Sequence, residues 1–208
     1  ICGDEIKPSV LELGGNDPFI VMPSADLDSA VATAVTARTQ NNGQSCIAAK
    51  RFLIHDAVYD QFTKRFVEAM SALTVGNPLD ETTDVGPLAT ADGRTEVAEL
   101  VDDAIGKGAS ILCGGRNLNG DGWYFSPTVI ADISPEMRVN DEEVFGPVAM
   151  VHRVTDIDDA IALANATPFG LGSSAWTSSP EEQERFISEI AAGQAAGGVM
   201  RCGDYRRV

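Results

Sequence analysis

The sequence predicts an α/β fold in which a mostly parallel sheet is flanked by helices. Short apolar runs typical of buried strands recur along the chain, and helix-like runs with apolar residues on one face lie between them. Glycine-rich or proline-containing turns such as Gly86-Pro87 separate these runs. Strands that alternate with helices favour parallel pairing within one α/β layer.

The first part of the chain predicts two strands and two helices. Residues 19–22 form a short apolar run that indicates a buried strand. Asp26 is a predicted N-cap, and the helix that it begins is expected to end near residues 41–43. The apolar run Arg51–His55 predicts a second strand. A helix over residues 56–73 follows, with its large apolar residues on one face.

The second part of the chain continues the alternation. The remaining predicted elements are a helix around residues 97–105, strands at residues 110–113, 124–130 and 148–151, a helix at residues 156–164, a strand at residues 173–176 and a helix at residues 180–192. Pro127 interrupts one of these strands, because proline cannot donate to a sheet. Cys113 lies in a predicted strand, where packing is the simpler interpretation of its side chain.

Composition limits the kind of protein that this can be. At 208 residues the chain can bury a sizeable core as one domain or one large lobe. Its formal charge of −16 argues against nucleic acid as a partner, since phosphate would be repelled. We also expect no membrane partner, because there is neither a membrane-length apolar run nor a signal peptide.

Cysteine usage indicates the compartment. The 4 cysteines show no metal-type CxxC spacing, so we expect no metal site. Thiols without an evident disulfide pattern fit an intracellular protein, and we expect a cytoplasmic location.

Cys46 is the first candidate for chemistry. It follows a helix-like run and precedes a strand-like one, and Gly43 permits a turn that a Cβ would obstruct. The small neighbours Ser45 and Ala48 leave room for a carbonyl carbon to approach the thiol. A thiolate is a strong nucleophile toward carbonyls. For Cys46 alone, a buried structural cysteine is the alternative interpretation.

Glu12 is the second candidate. It stands between two leucines in an apolar run that ends at Gly14 and Gly15. Burying such a carboxylate is costly unless it is paired or functional, and desolvation would raise its pKa toward the range useful for a general base. A carboxylate held in a structural hydrogen-bond network is the alternative. The two glycines would let the backbone approach a ligand closely.

Four motifs together resemble those of NAD(P)-dependent aldehyde dehydrogenases. They are LELGG with Glu12, NNGQSC with Cys46, EEVFGP with Glu143 and Phe145, and NATPFGL at residues 165–171. The resemblance covers about residues 5–194. Residues 1–194 are therefore interpreted as part of the catalytic domain. Residues 195–208, where the composition turns basic and the periodicity disappears, are interpreted as an atypical tail that lacks the family's next strand.

The resemblance also implies roles for individual residues. Cys46 would attack an aldehyde and pass through a thiohemiacetal and a thioester, and Glu12 would act as the base. The cofactor would be NAD or NADP. Leu13 and Gly14 would line the nicotinamide pocket, Glu143 would hold the nicotinamide ribose hydroxyls and Phe145 would pack near the nicotinamide.

Within the family, residues 40–52 look most like bacterial succinate-semialdehyde dehydrogenases. Gln40 stands where many of those enzymes carry an arginine for the distal carboxylate, so a small aldehyde is the expected substrate and its identity stays open. The full-length family forms homo-oligomers. A Cys-His hydrolase is a weak alternative, because neither His55 nor His152 lies in a recognisable motif and both are interpreted as structural.

The sequence has no glycine-rich turn of the kind that holds a dinucleotide pyrophosphate, which in the family lies in the half that precedes LELGG. The expectation is therefore a truncated catalytic fragment that is inactive alone. The alternative is a non-catalytic remnant that acts only as an interaction protein.

Overall fold

The sheet has seven strands within the part of the chain that the structure, a computed structural model, describes, namely residues 3–8 and 13–197. The strands are β1 Pro18–Val21, β2 Arg51–His55, β3 Ser110–Cys113, β4 Thr128–Ala131, β5 Val148–Val154, β6 Gly172–Trp176 and β7 Gln194–Gly197. The α-helices are α1 Leu27–Thr39, α2 Asp56–Ser71, α3 Ala91–Gly106, α4 Ile157–Asn165 and α5 Pro180–Glu189. Two short 3₁₀ segments lie at Gln40–Gly43 and Arg138–Asn140.

The strand order is β3-β4-β5-β2-β1-β6-β7, and every neighbouring pair is parallel except β3 with β4. Helices lie between most successive strands in the chain, as parallel pairing requires. The predicted α/β class with a mostly parallel sheet is confirmed. The antiparallel edge strand β3 was not predicted.

The central strands are buried on both faces. Along β1, Phe19 packs into one cluster with residues of α1 and α2, while Ile20 packs into another with residues of α4 and α5. The Phe19 and Phe52 rings lie 5.3 Å apart between their centroids, which ties β1 to β2 on the first face. A third cluster joins α3 to β4 and β5. This two-sided burial is the usual state of a parallel sheet.

Local signals place most element boundaries. The predicted N-cap Asp26 accepts hydrogen bonds from the N–H groups of Asp28 and Ser29 at the start of α1. The last helix is shorter than predicted, because the Asn165 side chain forms hydrogen bonds with backbone groups at and beyond its C-terminal end. Asn165 Nδ2 donates to Glu189 O at 2.9 Å, and Asn165 Oδ1 accepts from the Ala191 N–H at 2.8 Å.

The chain remains in the sheet beyond the point where its periodicity disappears. Gln194–Gly197 pairs in parallel with β6, so the expectation that no strand follows Gln194 was wrong for residues 195–197. Three of its four residues are small, and such a segment can pair at the edge of a sheet without the apolar pattern that a central strand shows. The remainder of the predicted tail, residues 198–208, lies outside the described residues. No helix in the described part of the chain is long and apolar enough to cross a bilayer.

Candidate active site

The turn that carries Cys46 begins where α1 ends. Asn41 and Asn42 adopt φ values of 52° and 57°, and Gly43 adopts 75°. Asparagine tolerates this left-handed region better than most residues, and glycine enters it freely. The Arg38 guanidinium donates from Nη2 to Gly43 O at 2.6 Å and fixes the end of the turn. The predicted turn at Gly43 is confirmed, and the two left-handed asparagines were missed.

The Asn42 side chain anchors the same turn to a distant loop. Its Nδ2 donates to Pro87 O at 3.1 Å, and its Oδ1 accepts from the Gly86 N–H at 2.7 Å. Gln44 makes a further link, because its Oε1 accepts from the Ala89 N–H at 2.9 Å. The predicted turn at residues 86–88 is therefore hydrogen-bonded to the turn that carries Cys46, through the side chains of Asn42 and Gln44.

Cys46 is half-buried and faces a cleft of about 480 Å³. The residues that line the cleft are Leu13, Gly14, Cys46, Pro168, Phe169, Gly170 and Leu171. Three of the sequence motifs therefore meet here: the end of LELGG, the cysteine turn and NATPFGL. Apart from the Cys46 thiol, the side chains of this described lining are apolar.

The two glycines that follow Leu13 allow close contacts inside the protein. A Cβ on Gly14 would lie 2.5 Å from Glu143 Oε2, and a Cβ on Gly15 would overlap Cys46 O. Sequence reasoning had assigned this closeness to a ligand. In the structure Gly14 lies against Glu143 and Gly15 lies against Cys46, although Cys46 and Glu143 are 97 residues apart in the sequence.

Glu143 is partly exposed, with 19% of its side-chain surface accessible, and it pairs with a fully buried lysine. Lys50 Nζ lies 3.1 Å from Glu143 Oε1. An ion pair with one member in the interior holds the carboxylate in place beside Gly14. The EEVFGP motif is thereby joined to the cysteine turn, although periodicity alone would treat Glu143 as a solvated acid.

The other residues predicted for the site stand as follows. Leu13 and Gly14 line the cleft with Cys46. The Phe145 ring is 43% exposed and is not part of the described cleft lining. Glu12 lies outside the described residues. Within residues 3–8 and 13–197, no group of three or more His, Cys, Asp or Glu side chains could hold a metal ion.

Three buried cations were missed. Lys50 and Arg51 directly precede the apolar part of β2, and Arg38 lies on the buried face of α1. Burial lowers the pKa of Arg38 to about 9, while Glu143 acts in the opposite direction. The signal that singled out Glu12, a charge within an apolar run, is also present at Lys50 and Arg51 and could have identified them.

Arg51 links the start of β2 to Asn16 and to the end of α4. Its guanidinium donates to Asn16 O at 2.9 Å, to Leu163 O at 2.7 Å and to Ala164 O at 2.8 Å. The last two carbonyls belong to the C-terminal turn of α4, where a cation is favourable. Burial lowers the pKa of Arg51 to about 10, and Asp17 opposes that shift. The NATPFGL segment, which lines the cleft, directly follows this anchored turn.

The cysteine and the histidines that were interpreted as structural occupy core or helix-capping positions. Cys113 packs against the core cluster under α2. His55 is the N-cap of α2, where its Nδ1 accepts from the Ala57 N–H at 3.1 Å. His152 is buried in β5 and its Nε2 has no partner among the described residues. None of these side chains lines the cleft as described.

Solved structures of larger proteins share this arrangement. The chain superposes with a TM-score of 0.91 on lactaldehyde dehydrogenase from Escherichia coli, at 35% identity and covering 97% of this chain and 43% of that one. It superposes equally well on Gox0499, described for its cofactor and substrate selection, at 36% identity and covering 97% and 44% of the two chains.

Sequence relatives are closer still. Succinate-semialdehyde dehydrogenase [NADP(+)] of Mycobacterium avium is 65% identical over 194 residues, which cover 93% of this chain and 41% of that protein. Succinate-semialdehyde dehydrogenase [NADP(+)] 1 of Mycobacterium ulcerans is 66% identical over 194 residues, which cover 93% of this chain and 42% of that protein. The chain thus spans about two fifths of the length of these curated relatives. A model of the aldehyde dehydrogenase family matches residues 1–200, and the chain belongs to that family.

Proposed function

We propose that this chain forms the nucleophile-bearing part of an enzyme that oxidises an aldehyde to a carboxylic acid with NADP or NAD. The position of Cys46 carries the proposal. Its thiol faces an apolar cleft, on a turn that is fixed by Arg38 and Asn42, and Glu143 is held nearby. A nucleophile that is fixed in a cleft with apolar lining side chains suits attack on a small, uncharged carbonyl group.

Cys46 performs the covalent step in this proposal. Its sulfur attacks the carbonyl carbon, which gives a thiohemiacetal whose oxygen develops negative charge. The Cys46 N–H donates to no other described group, so it can donate to that oxygen. Loss of a hydride from the same carbon gives a thioester, and water then releases the carboxylic acid and restores the thiol. Glu12 is the proposed base for the thiol or for that water.

The cofactor assignment depends on Glu143 and the glycine beside it. When bound, a nicotinamide dinucleotide supplies a hydride acceptor. A carboxylate accepts hydrogen bonds from a pair of ribose hydroxyls, and Glu143 is both partly exposed and fixed by Lys50. Gly14 leaves that carboxylate free of an adjacent Cβ. Leu13, which is 74% exposed, and Phe145 supply apolar surface for the nicotinamide ring.

Succinate semialdehyde is the proposed substrate, and the names of the mycobacterial relatives support it. Gln40 stands where many succinate-semialdehyde dehydrogenases carry an arginine for the distal carboxylate. It is exposed at the end of α1 and brings no charge to the cleft. The buried cations Arg38, Lys50 and Arg51 all bind carbonyl oxygens of the protein. The distal carboxylate would therefore be held by groups other than the described lining. The names of the same relatives also support NADP as the preferred cofactor.

Thiol labelling tests the nucleophile directly. We expect brief iodoacetamide treatment to alkylate Cys46 at least about tenfold faster than Cys113, because only Cys46 faces the cleft. Prior addition of succinate semialdehyde should slow the reaction at Cys46 alone, since the aldehyde occupies the thiol. Peptide mapping by mass spectrometry measures both effects, with Cys113→Ala as a variant that should leave the Cys46 rate unchanged.

The oxidation itself is followed by the absorbance of the reduced nicotinamide, with succinate semialdehyde and either NADP or NAD. Cys46→Ala must abolish any turnover. Equal alkylation of the four cysteines in the folded protein, or turnover that survives Cys46→Ala, would refute the proposed role of Cys46.

A further inference from the structure

The Lys50 side chain ends inside the turn that carries the nucleophile. It is fully buried, and its ammonium group donates to Ser45 O at 3.1 Å, to Cys46 O at 3.1 Å and to Ala48 O at 3.0 Å. An ammonium group has three protons and no preferred plane, so it can gather carbonyls that point in different directions. The path of the backbone on both sides of Cys46 therefore depends on this one group.

The same ammonium group forms the ion pair with Glu143 at 3.1 Å. The three N–H donors of Lys50 go to the three carbonyls, and Glu143 Oε1 accepts no hydrogen bond among the described residues, so the link between Lys50 and Glu143 is electrostatic. A second buried cation, Arg38, interacts with the same carboxylate. Desolvation and the charge of Arg38 lower the pKa of Lys50, and Glu143 opposes this shift. Glu143 therefore helps to keep the lysine charged in the interior.

Arg51, the next residue, shows what a purely structural buried cation looks like here. Its guanidinium donates to three carbonyls, two of which lie at the end of α4, and within the described residues it forms no hydrogen bond or ion pair with Cys46 or Glu143. Lys50 differs because one charged group contacts both the proposed cofactor-binding carboxylate and the backbone of the proposed nucleophile. The two groups belong to motifs 97 residues apart.

We propose that Lys50 is a positioning residue that couples Glu143 to the Cys46 turn. A change in what Glu143 binds alters the charge that faces the Lys50 ammonium group, and so changes how firmly that group holds the backbone around Cys46. The use of this coupling rests on the proposed function, in which ribose hydroxyls that bind Glu143 would adjust the nucleophile turn through Lys50. The coupling itself involves only residues of this chain and can be measured without a cofactor.

Amide hydrogen exchange across residues 44–49 tests the coupling in the full 208-residue chain. The variants are Lys50→Met, Glu143→Gln and the double variant. We expect each single substitution to raise exchange in this peptide at least about threefold, and the double variant to exceed Lys50→Met by less than about 1.5-fold. The peptide that covers α2 is the internal reference, because its core side chains pack away from the cleft.

Lys107→Met is the matched control. Lys107 also binds a carbonyl and a carboxylate, Glu136 O at 2.8 Å and Asp103 Oδ1 at 2.8 Å, but at the end of α3. Its substitution should leave exchange at residues 44–49 unchanged. If Lys50→Met raises exchange in α2 as well, the variant has lost its fold. Glu143→Gln alone then decides, because that side chain is partly exposed and its loss leaves the core intact.

Two results would overturn the coupling. In the first, Glu143→Gln leaves exchange at residues 44–49 at the wild-type level, which would make Lys50 a structural anchor only. In the second, the effects of the two single substitutions multiply in the double variant, which would make them independent. Neither aldehyde nor cofactor is present in this experiment, so its failure would leave the proposed oxidation untouched. Failure of the Cys46 labelling test would likewise leave the coupling untouched.

Discussion

Replacing Gly43 with alanine is expected to lower the free energy of unfolding by about 4 kcal/mol, because steric overlap adds to backbone strain. At φ 75°, the strain for a residue with a Cβ contributes about 1–2 kcal/mol. The new Cβ would also overlap the carbonyl group of Gly146 and lie 2.8 Å from Arg38 Nη2. Backbone cannot move aside as the end of a flexible side chain can, so most of the cost comes from this overlap.

Urea unfolding followed by circular dichroism measures the loss, and two other glycines serve as matched controls. Gly108 has φ 104°, and a Cβ there would meet nothing within 4 Å, so Gly108→Ala isolates the backbone strain. Gly14→Ala, at φ 78°, would press on the Glu143 carboxylate, which can shift only by weakening its ion pair with Lys50. We expect Gly108→Ala to cost about 1–2 kcal/mol, and Gly14→Ala to cost more than Gly108→Ala but less than Gly43→Ala. A Gly43→Ala loss no larger than that of Gly108→Ala would contradict the steric argument.

The Gly43 contact has a functional meaning as well. Gly146 belongs to the EEVFGP motif, so the absence of a side chain at Gly43 lets that motif lie directly against the cysteine turn. Lys50 joins the same two segments through its charge. The close backbone contact and the ion pair therefore both hold Cys46 and Glu143 in the same relative position. A site that requires both groups in register gains precision from two independent constraints.

Periodicity and capping predicted the fold well because those signals are local. The strand Arg51–His55 and the N-cap Asp26 follow from residues adjacent in the sequence. The end of α5 does not, because the Asn165 side chain that terminates it lies 24 residues earlier. The antiparallel direction of β3 was equally hidden, since the direction of an edge strand leaves little trace in its own residues.

The site was predicted at the level of single residues but not of contacts. Cys46 stood out because its small neighbours and the nearby glycine mark a turn with an accessible thiol. Lys50 carries the same signal as Glu12, a charge beside an apolar run, but a lysine next to a strand more often reaches solvent, so the signal alone is weak. Only the three-dimensional structure shows that its ammonium group turns inward to Cys46 O and Glu143. Pairing between buried charges cannot be derived from one sequence.

The buried histidine of β5 should make the protein sensitive to mild acid. Burial lowers the pKa of His152 to about 4, and the nearby positive charge of Arg51 contributes to the shift. In the unfolded chain the imidazole has its ordinary pKa of about 6.5. Between these two values the unfolded state binds the proton and the native state does not, so stability falls as the pH falls. The contribution is fully present above about pH 6.5 and is lost by about pH 4.

We therefore expect His152 to cost the native state about 3 kcal/mol between pH 7 and pH 4, with about 2 kcal/mol of that lost above pH 5. The test compares the urea unfolding free energy of the wild type with that of His152→Leu across this range. Asp17 has a raised pKa, which favours the native state in acid and so works in the opposite direction. Asp17 is present in both proteins, so the difference between them isolates His152. The wild type should lose stability relative to His152→Leu as the pH falls, and parallel curves would show that His152 is protonated without cost in the folded protein.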